Sequence, residues 1–173
     1  QDVNAHGLAL SPNRVFICGF TEVDIPMAGT PFDNTRGAAG TTTDAFVAVF
    51  NRALDTLIYA TYLGSTGNET AGATSIRATT DTSFTVGMTA NADLPHTNPR
   101  YFSPTNFVDT TFGGVSDFYI AKFSGINKLY WGNYVGGADG ETFNDLELFP
   151  DGKVAFCGSG FSTLTEINSS AGR

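Results

Sequence analysis

Asp44-Ala-Phe-Val-Ala-Val-Phe50 recurs later in the chain as Asp117-Phe-Tyr-Ile-Ala-Lys-Phe123. The segments that follow also correspond, because Leu57-Ile-Tyr-Ala-Thr-Tyr-Leu-Gly64 recurs as Leu129-Tyr-Trp-Gly-Asn-Tyr-Val-Gly136. A supersecondary unit that repeats in this way does not bury its apolar face alone but packs on its neighbours. The sequence therefore predicts a repeat architecture.

A third segment occurs three times, at 7–19, 75–87 and 145–158. The chain thus contains about two and a half units of about 70 residues each. Gly and Thr are abundant, with 20 Gly, and only 15% of the residues are charged. This composition favours short strands and tight turns over helices.

Each unit contains four strand candidates that are rich in β-branched and aromatic residues and are separated by Gly, Asn, Asp or Ser. In the central unit they are Ala45–Phe50, Leu57–Leu63, Thr74–Thr79 and Phe84–Thr89. Several are apolar on both faces, which is typical of a sheet enclosed between other sheets. The fold class expected is all-β, with antiparallel four-stranded blades of a β-propeller in a partial array.

The repeat boundaries divide the chain into five parts. Residues 1–20 are interpreted as the end of one blade, 21–43 as an inter-blade connection, 44–89 as a complete blade, 90–116 as a second connection, and 117–173 as the following blade with a tail. Both connections contain an Asp-apolar-Pro motif, Asp24-Ile-Pro26 and Asp93-Leu-Pro95. A motif that repeats with the scaffold indicates a structural role.

The net charge of −8 and the pI of about 4.4 make nucleic acid an unexpected partner, since no Lys/Arg cluster is present. No apolar run approaches membrane-spanning length. The sequence has no basic region followed by an apolar stretch at its start, so any signal peptide is expected outside this segment.

The two cysteines are expected to be buried free thiols. Aligning Gly19, Gly87 and Gly158 places Cys18, Val86 and Cys157 at one repeat position. A position that accepts Val or Cys is typical of a small buried apolar site. Equivalent positions two repeats apart are not expected within the ~7 Å between Cα atoms that a disulfide requires.

Two Gly-rich turns are the best metal candidates, with Glu69 in the first and Asp139 and Glu141 in the second. Neither turn has the spaced acidic set of a Ca²⁺ loop, so plain turns are favoured and no metal or cofactor is expected. The two histidines, His6 and His96, are in no zinc-binding pattern.

Aromatic residues crowd the second connection, among them Tyr101, Phe102 and Phe107. They are candidate contacts for a sugar or a partner protein, although covering a blade edge is the favoured role. No sequence pattern for a catalytic nucleophile is convincing, and Asp44 and Asp117 share one repeat position, which favours a structural over a catalytic role.

The unit resembles the bacterial SBBP β-propeller repeat. The resemblance depends on motifs that recur in the same order in two copies: Asp44–Ala48, Tyr59–Gly64, Phe84–Thr89 and Asp93–Pro95, then Asp117–Lys122, Tyr134–Gly137 and Asp151–Gly158. The chain departs from the pattern at Trp131-Gly132-Asn133. The resemblance implies a secreted or cell-surface bacterial protein and supplies no catalytic residue set.

The function expected is therefore non-enzymatic: a structural, adhesion or protein-binding scaffold whose partners are other blades and a surface protein or glycan. Two alternatives remain open, a propeller enzyme acting on polysaccharide and a ring-forming glycan-binding lectin. Because each blade needs two neighbours, the isolated chain is expected to be unstable as a monomer.

Overall fold

The computed structural model describes residues 2–37, 43–65, 74–95 and 111–160, and within these ranges the chain forms ten β-strands and no helix. All sheets are antiparallel. The strands are β1 (Val3–Leu10), β2 (Arg14–Thr21), β3 (Asp44–Asn51), β4 (Leu57–Leu63), β5 (Ser75–Thr80), β6 (Ser83–Ala90), β7 (Asp117–Ser124), β8 (Lys128–Val135), β9 (Glu141–Leu148) and β10 (Val154–Gly160).

The ten strands form two four-stranded sheets and one hairpin. The first sheet has the order β1-β2-β3-β4, the second sheet has the order β5-β6-β7-β8, and β9 pairs with β10. The all-β prediction is confirmed, and the four strands predicted in the central unit correspond to β3, β4, β5 and β6.

The predicted blade at 44–89 is wrong as a hydrogen-bonded unit. Its first two strands complete the first sheet, and its last two begin the second. The reason is that β2 pairs with β3 across the long connection, with Thr21 opposite Asp44, and β6 pairs with β7 in the same way, with Ala90 opposite Asp117. Each long connection therefore joins two strands of one sheet, and the segments that follow β4 and β8 lead from one sheet to the next.

Both long connections are fixed to the fourth strand of their sheet by a tyrosine. The Ile25 N–H donates to Tyr62 Oη at 2.9 Å, and the Leu94 N–H donates to Tyr134 Oη. Both amides belong to the Asp-apolar-Pro motif, so the structural role predicted for this motif is confirmed. In the first sheet the connection also covers the outer face, where Ile25 packs in one cluster with Phe46.

The main core lies between the first and second sheets. Its largest wholly buried side chains include Phe16, Phe84 and Phe123, and the rings of Phe84 and Phe123 stack at 4.9 Å. A second core lies between the second sheet and the β9–β10 hairpin, around Phe118 and Phe143. The second sheet is thus covered on both faces, which explains its strands with apolar residues on both sides.

Candidate functional site

The structure brings few of the predicted site residues together. Glu69, His96 and the aromatic residues Tyr101, Phe102 and Phe107 lie outside the described residues. Of the metal candidates, Asp139 is exposed on its turn whereas Glu141 is wholly buried at the start of β9. Within the described ranges, no three His, Cys, Asp or Glu side chains are grouped closely enough to hold a metal ion.

Asp44 and Asp117 form a repeated structural motif with glycines. Each is buried at the start of its strand, and its Oδ2 accepts a backbone N–H at 2.8 Å, from Gly37 and Gly113 respectively. A second glycine follows the fourth strand: a Cβ on Gly64 would lie 2.5 Å from the Asp44 Cγ. Only a residue without a side chain leaves room for the carboxylate there, so the aspartate and both glycines form one unit.

Glu141 lies beside the second copy of this motif. Its Oε2 accepts the Gly137 N–H at 3.3 Å. A Cβ on Gly136 would overlap Asp117 Oδ1 and would lie 2.8 Å from Glu141 Oε2, so the two carboxylates are neighbours around one glycine. Ser116 Oγ donates to the Glu141 carbonyl at 2.8 Å and closes the same turn. These contacts give Glu141 a structural position between the second sheet and the β9–β10 hairpin.

The first strands of successive sheets are joined by polar side chains. Ser75 Oγ donates to Asp145 Oδ1 at 2.5 Å, and Arg77 Nε lies 3.0 Å from Glu147 Oε2. The Ser75 hydrogen bond is the main reason that the pKa of Asp145 is lowered, with a smaller contribution from Arg77. For Glu147 the backbone N–H of Leu148 lowers the pKa most, followed by Arg77.

An analogous contact joins the first sheet to the second. Ser11 Oγ donates to Asp81 Oδ1 at 2.6 Å, and the Asn13 amide donates to Asp81 Oδ2 at 2.7 Å. These donors, Ser11 first, lower the pKa of Asp81 to about 2. Asp81 therefore stays ionised throughout the neutral range and connects the two sheets at this point.

A cleft of about 520 Å³ opens where the first sheet meets the connection of the second. Arg36 supplies its guanidinium, which lies 3.3 Å from Asp24 Oδ1. Segments from both connections converge on the cleft, which is lined by Asp33, Thr35, Arg36, Gly37, Gly64, Ser65, Ala92 and Asp93. Because the lining combines charged groups of both signs with apolar surface, the cleft suits a ligand that has both polar groups and apolar faces, as a sugar does.

Both cysteines are free thiols, as predicted, but only Cys18 is buried. Burial raises the pKa of the Cys18 thiol to about 11. The predicted burial of Cys157 is wrong, because β10 is exposed over most of its length. Pairing also corrects the alignment: Cys18 lies opposite Val47 and Gly87 opposite Ile120, so the counterpart of Cys18 in the second sheet is Gly87, not Val86.

Comparison with known proteins leaves the family open. No protein-family model matches the chain, and no curated protein matches it either. The resemblance to the SBBP repeat stays a prediction. In the part of the chain that the structure describes, no helix is long and apolar enough to cross a membrane.

Sequence reasoning missed the polar contacts between the first strands of the sheets and the role of Glu141. Ser75, Arg77, Asp145 and Glu147 do not stand out in the sequence, since their partners lie 70 residues apart. The Asp-x-aromatic start that β3 and β7 share was a usable signal for the aspartate–glycine motif. The glycines before and after these strands also recur, and their repetition could have indicated that they belong to the same motif.

Proposed function

We propose that this chain is part of a β-propeller that acts as a non-enzymatic adhesion or protein-binding scaffold in a secreted or cell-surface bacterial protein. The observation that carries the proposal is the order of the sheets. They pack face to face in sequence order, and the first strand of each is next to the first strand of the following one, β1 beside β5 and β5 beside β9. In a propeller the first strands of successive blades adjoin around a central channel.

The spacing of the inter-sheet contacts supports the same arrangement. Ser11 with Asp81, Ser75 with Asp145, and Arg77 with Glu147 are each separated by 70 residues. Each contact joins one sheet to the next, so the same sequence separation is found at both junctions between sheets. A constant step between packed units generates a regular array, and closure of that array protects the sheet edges.

The chemistry of the acidic groups supports a scaffold more than an enzyme. Asp44 and Asp117 receive glycine N–H groups at one repeat position, and Asp145 and Glu147 contact Ser75 and Arg77. A glycosidase requires one carboxyl group that donates a proton and a second that acts as nucleophile or base beside an open substrate site. The carboxylates with described partners here stabilise turns and sheet contacts.

We propose that the surface around the cleft is the one that binds a partner. Connections within two successive sheets, 22–37 and 91–95, contribute residues to it, and loops on a rigid β scaffold commonly carry recognition. Tyr101, Phe102 and Phe107 belong to the second connection by sequence and are proposed as further contacts. A surface glycan or a protein with polar groups is the expected partner.

The stacking is tested by a disulfide between sheets. Ser75→Cys with Asp145→Cys, in a Cys157→Ser background, is expected to form a bond on mild oxidation because the native side chains are 2.5 Å apart. Ser75→Cys with Asp139→Cys is the control and is expected to stay reduced. Equal cross-linking of both pairs would contradict the stacking.

Ligand binding and polysaccharide cleavage are tested separately from the stacking, with a panel of polysaccharides and surface proteins. We expect retention of a ligand without release of reducing ends, and loss of that retention in Arg36→Ala. Release of reducing ends that depends on a carboxylate of the chain would make the polysaccharide-acting enzyme the better assignment. A closed homo-oligomer of the isolated chain in native mass spectrometry would favour the ring-forming lectin.

A further inference from the structure

The charged side chains that line the cleft between the first sheet and the second connection differ in accessibility. The Arg36 side chain is only 7% exposed, and its Nε lies 3.3 Å from Asp24 Oδ1. Asp33 is half-buried, and Asp93 is exposed. The positive charge of the cleft is therefore buried and paired with a carboxylate, and the charges most accessible to a ligand are the carboxylates of Asp33 and Asp93.

Asp33 is held in place by the first sheet. Its backbone N–H donates to Thr61 Oγ1 at 2.9 Å, and its carbonyl accepts the Tyr62 N–H at 3.0 Å. Its side-chain Oδ1 accepts hydrogen bonds from both the backbone N–H and the hydroxyl of Thr35, each at 2.8 Å. The first sheet thus presents to the cleft a carboxylate whose orientation is fixed by β4 and by the neighbouring loop.

Asp93 is held in a similar way by the second sheet. The Tyr134 hydroxyl of β8 donates to Asp93 Oδ1 at 3.1 Å and accepts the N–H of Leu94. The two carboxylates therefore belong to different sheets and line one cleft of about 520 Å³, a volume in the range of small-ligand sites. Because both are already oriented, a ligand that bonds to them pays little for ordering the site.

The charge around the cleft is negative on balance. Arg36 is the only cationic residue among the described residues that line the cleft, and Asp24 neutralises it. A carboxylate on a ligand would meet like charges, whereas an ammonium group would form charge-assisted hydrogen bonds with Asp33 and Asp93. Ring hydroxyls donate to carboxylates as well, and the apolar face of a sugar ring matches the apolar part of the lining.

We propose that the cleft binds an amino sugar, whose ammonium group and neighbouring hydroxyls bond to Asp33 and Asp93 and whose ring spans the two sheets. Sugars that carry a carboxylate, such as uronic acids, are disfavoured at the same site. The amino sugar is a more specific ligand for the surface that the proposed function assigns to a partner, so the inference rests on that function.

Isothermal titration calorimetry of the whole 173-residue chain with matched oligosaccharides tests the proposal. The glucosamine tetramer of chitosan and the glucose tetramer of cellulose differ only in the group at the second carbon of each ring. At mildly acidic pH, where the sugar amines are charged, the glucosamine tetramer is expected to bind at least about tenfold more tightly. This difference is expected to shrink at high salt, and an oligogalacturonate of the same length is expected not to bind.

Two isosteric variants test the assigned residues. Asp33→Asn and Asp93→Asn each remove one charge but keep the Oδ1 that Thr35 or Tyr134 contacts. Each is expected to weaken binding of the glucosamine tetramer at least about fivefold and to change binding of the glucose tetramer less than about twofold. Asp151→Asn removes the same charge in the β9–β10 turn and is the matched control, expected to leave both affinities unchanged. Melting curves of the variants, recorded in parallel, separate loss of binding from loss of folding.

Equal affinity for the two tetramers, or tighter binding of the oligogalacturonate, would overturn the proposal. A tetralysine peptide controls for charge without a sugar ring, and binding as tight as that of the glucosamine tetramer would also overturn it. Retention of another glycan or protein through Arg36, with no binding of the glucosamine tetramer, would overturn the amino-sugar assignment and leave the proposed function intact. Retention of nothing in the panel of polysaccharides and surface proteins would overturn both.

Discussion

β6 and β10 occupy the same place in the repeat and have opposite environments. β6 lies in the middle of the second sheet, with neighbouring strands on both sides and cores on both faces, and is buried from Phe84 to Ala90. Among the described residues β10 pairs with β9 alone, and most of its residues are exposed. The comparison teaches that burial in this molecule is supplied by neighbouring units and is not a property of a strand's own sequence.

The two cysteines give the largest contrast. In the folded protein Cys157 is expected to react with a thiol reagent at the rate of an exposed thiol. Cys18 is wholly buried, and its raised pKa disfavours the thiolate, so it is expected to react about a thousandfold or more slowly, through opening of the sheets. Stopped-flow titration of Cys18→Ser and Cys157→Ser variants assigns the two rates. Similar rates would show that the two thiols are equally accessible in the folded protein and would contradict the prediction.

Two phenylalanine truncations compare the same regions in free energy. Phe123→Ala removes a wholly buried ring stacked on Phe84 and is expected to lower the free energy of unfolding by about 3–5 kcal/mol. Phe149→Ala, in the turn between β9 and β10, removes a ring that is 53% exposed and is expected to change it by about 0.5 kcal/mol at most.

Urea unfolding followed by tryptophan fluorescence measures both phenylalanine variants. If Phe123→Ala does not fold, Phe123→Leu provides a milder comparison with the same expected order. A larger loss from Phe149→Ala than from Phe123→Ala would mean that the β9–β10 turn is buried in solution.

The junction between the second sheet and the β9–β10 hairpin is tested with two glycines of one turn. Gly136→Ala places a methyl group against Asp117 Oδ1 and beside Glu141 and is expected to cost about 1–3 kcal/mol of unfolding free energy. Gly140→Ala, whose added Cβ would lie 3.3 Å from Ser116 Oγ, is expected to cost about 0.5 kcal/mol or less. Equal losses of unfolding free energy in the two variants would show that the Asp117 and Glu141 carboxylates can move to make room for the added methyl group.

The smallest effect concerns two aspartates in the turns that precede β6 and β10. Asp81 bonds across to Ser11 and Asn13 of the first sheet, whereas Asp151 contacts Lys153 within its own turn. At neutral pH, Asp81→Asn is expected to lower the melting temperature by a few degrees, and Asp151→Asn by less.

The Asp81 difference has a defined pH dependence. The pKa of Asp81 is depressed to about 2 in the folded protein, so its contribution is fully present above the ordinary pKa of ~3.9 and is lost as the pH falls towards 2. Differential scanning calorimetry of wild type and Asp81→Asn between pH 7 and pH 2 measures it. A difference that stays constant over this interval would contradict an ionic role for Asp81.

Much of the local structure was predictable. The strand candidates Ala45–Phe50 and Phe84–Thr89 correspond to β3 and β6 because β-branched and aromatic runs between Gly- and Asn-rich turns are local signals. The structural role of the Asp-apolar-Pro motif followed from its repetition. The environments of the metal candidates were not predictable in this way: Asp139 and Glu141 are close in sequence, but one is exposed and the other buried, and burial depends on neighbours that are distant in the chain.

The sequence by itself determined that this protein is built from repeated antiparallel strands, since residue alternation and turn composition act over a few residues. Only the tertiary structure decided which strands share a sheet. The hydrogen bonds between β2 and β3 span a long connection, and they assign the two halves of the predicted 44–89 blade to different sheets. The tertiary structure likewise decided that Cys18 is buried and Cys157 exposed, because a β-strand is enclosed only where another strand and another sheet are present to cover it.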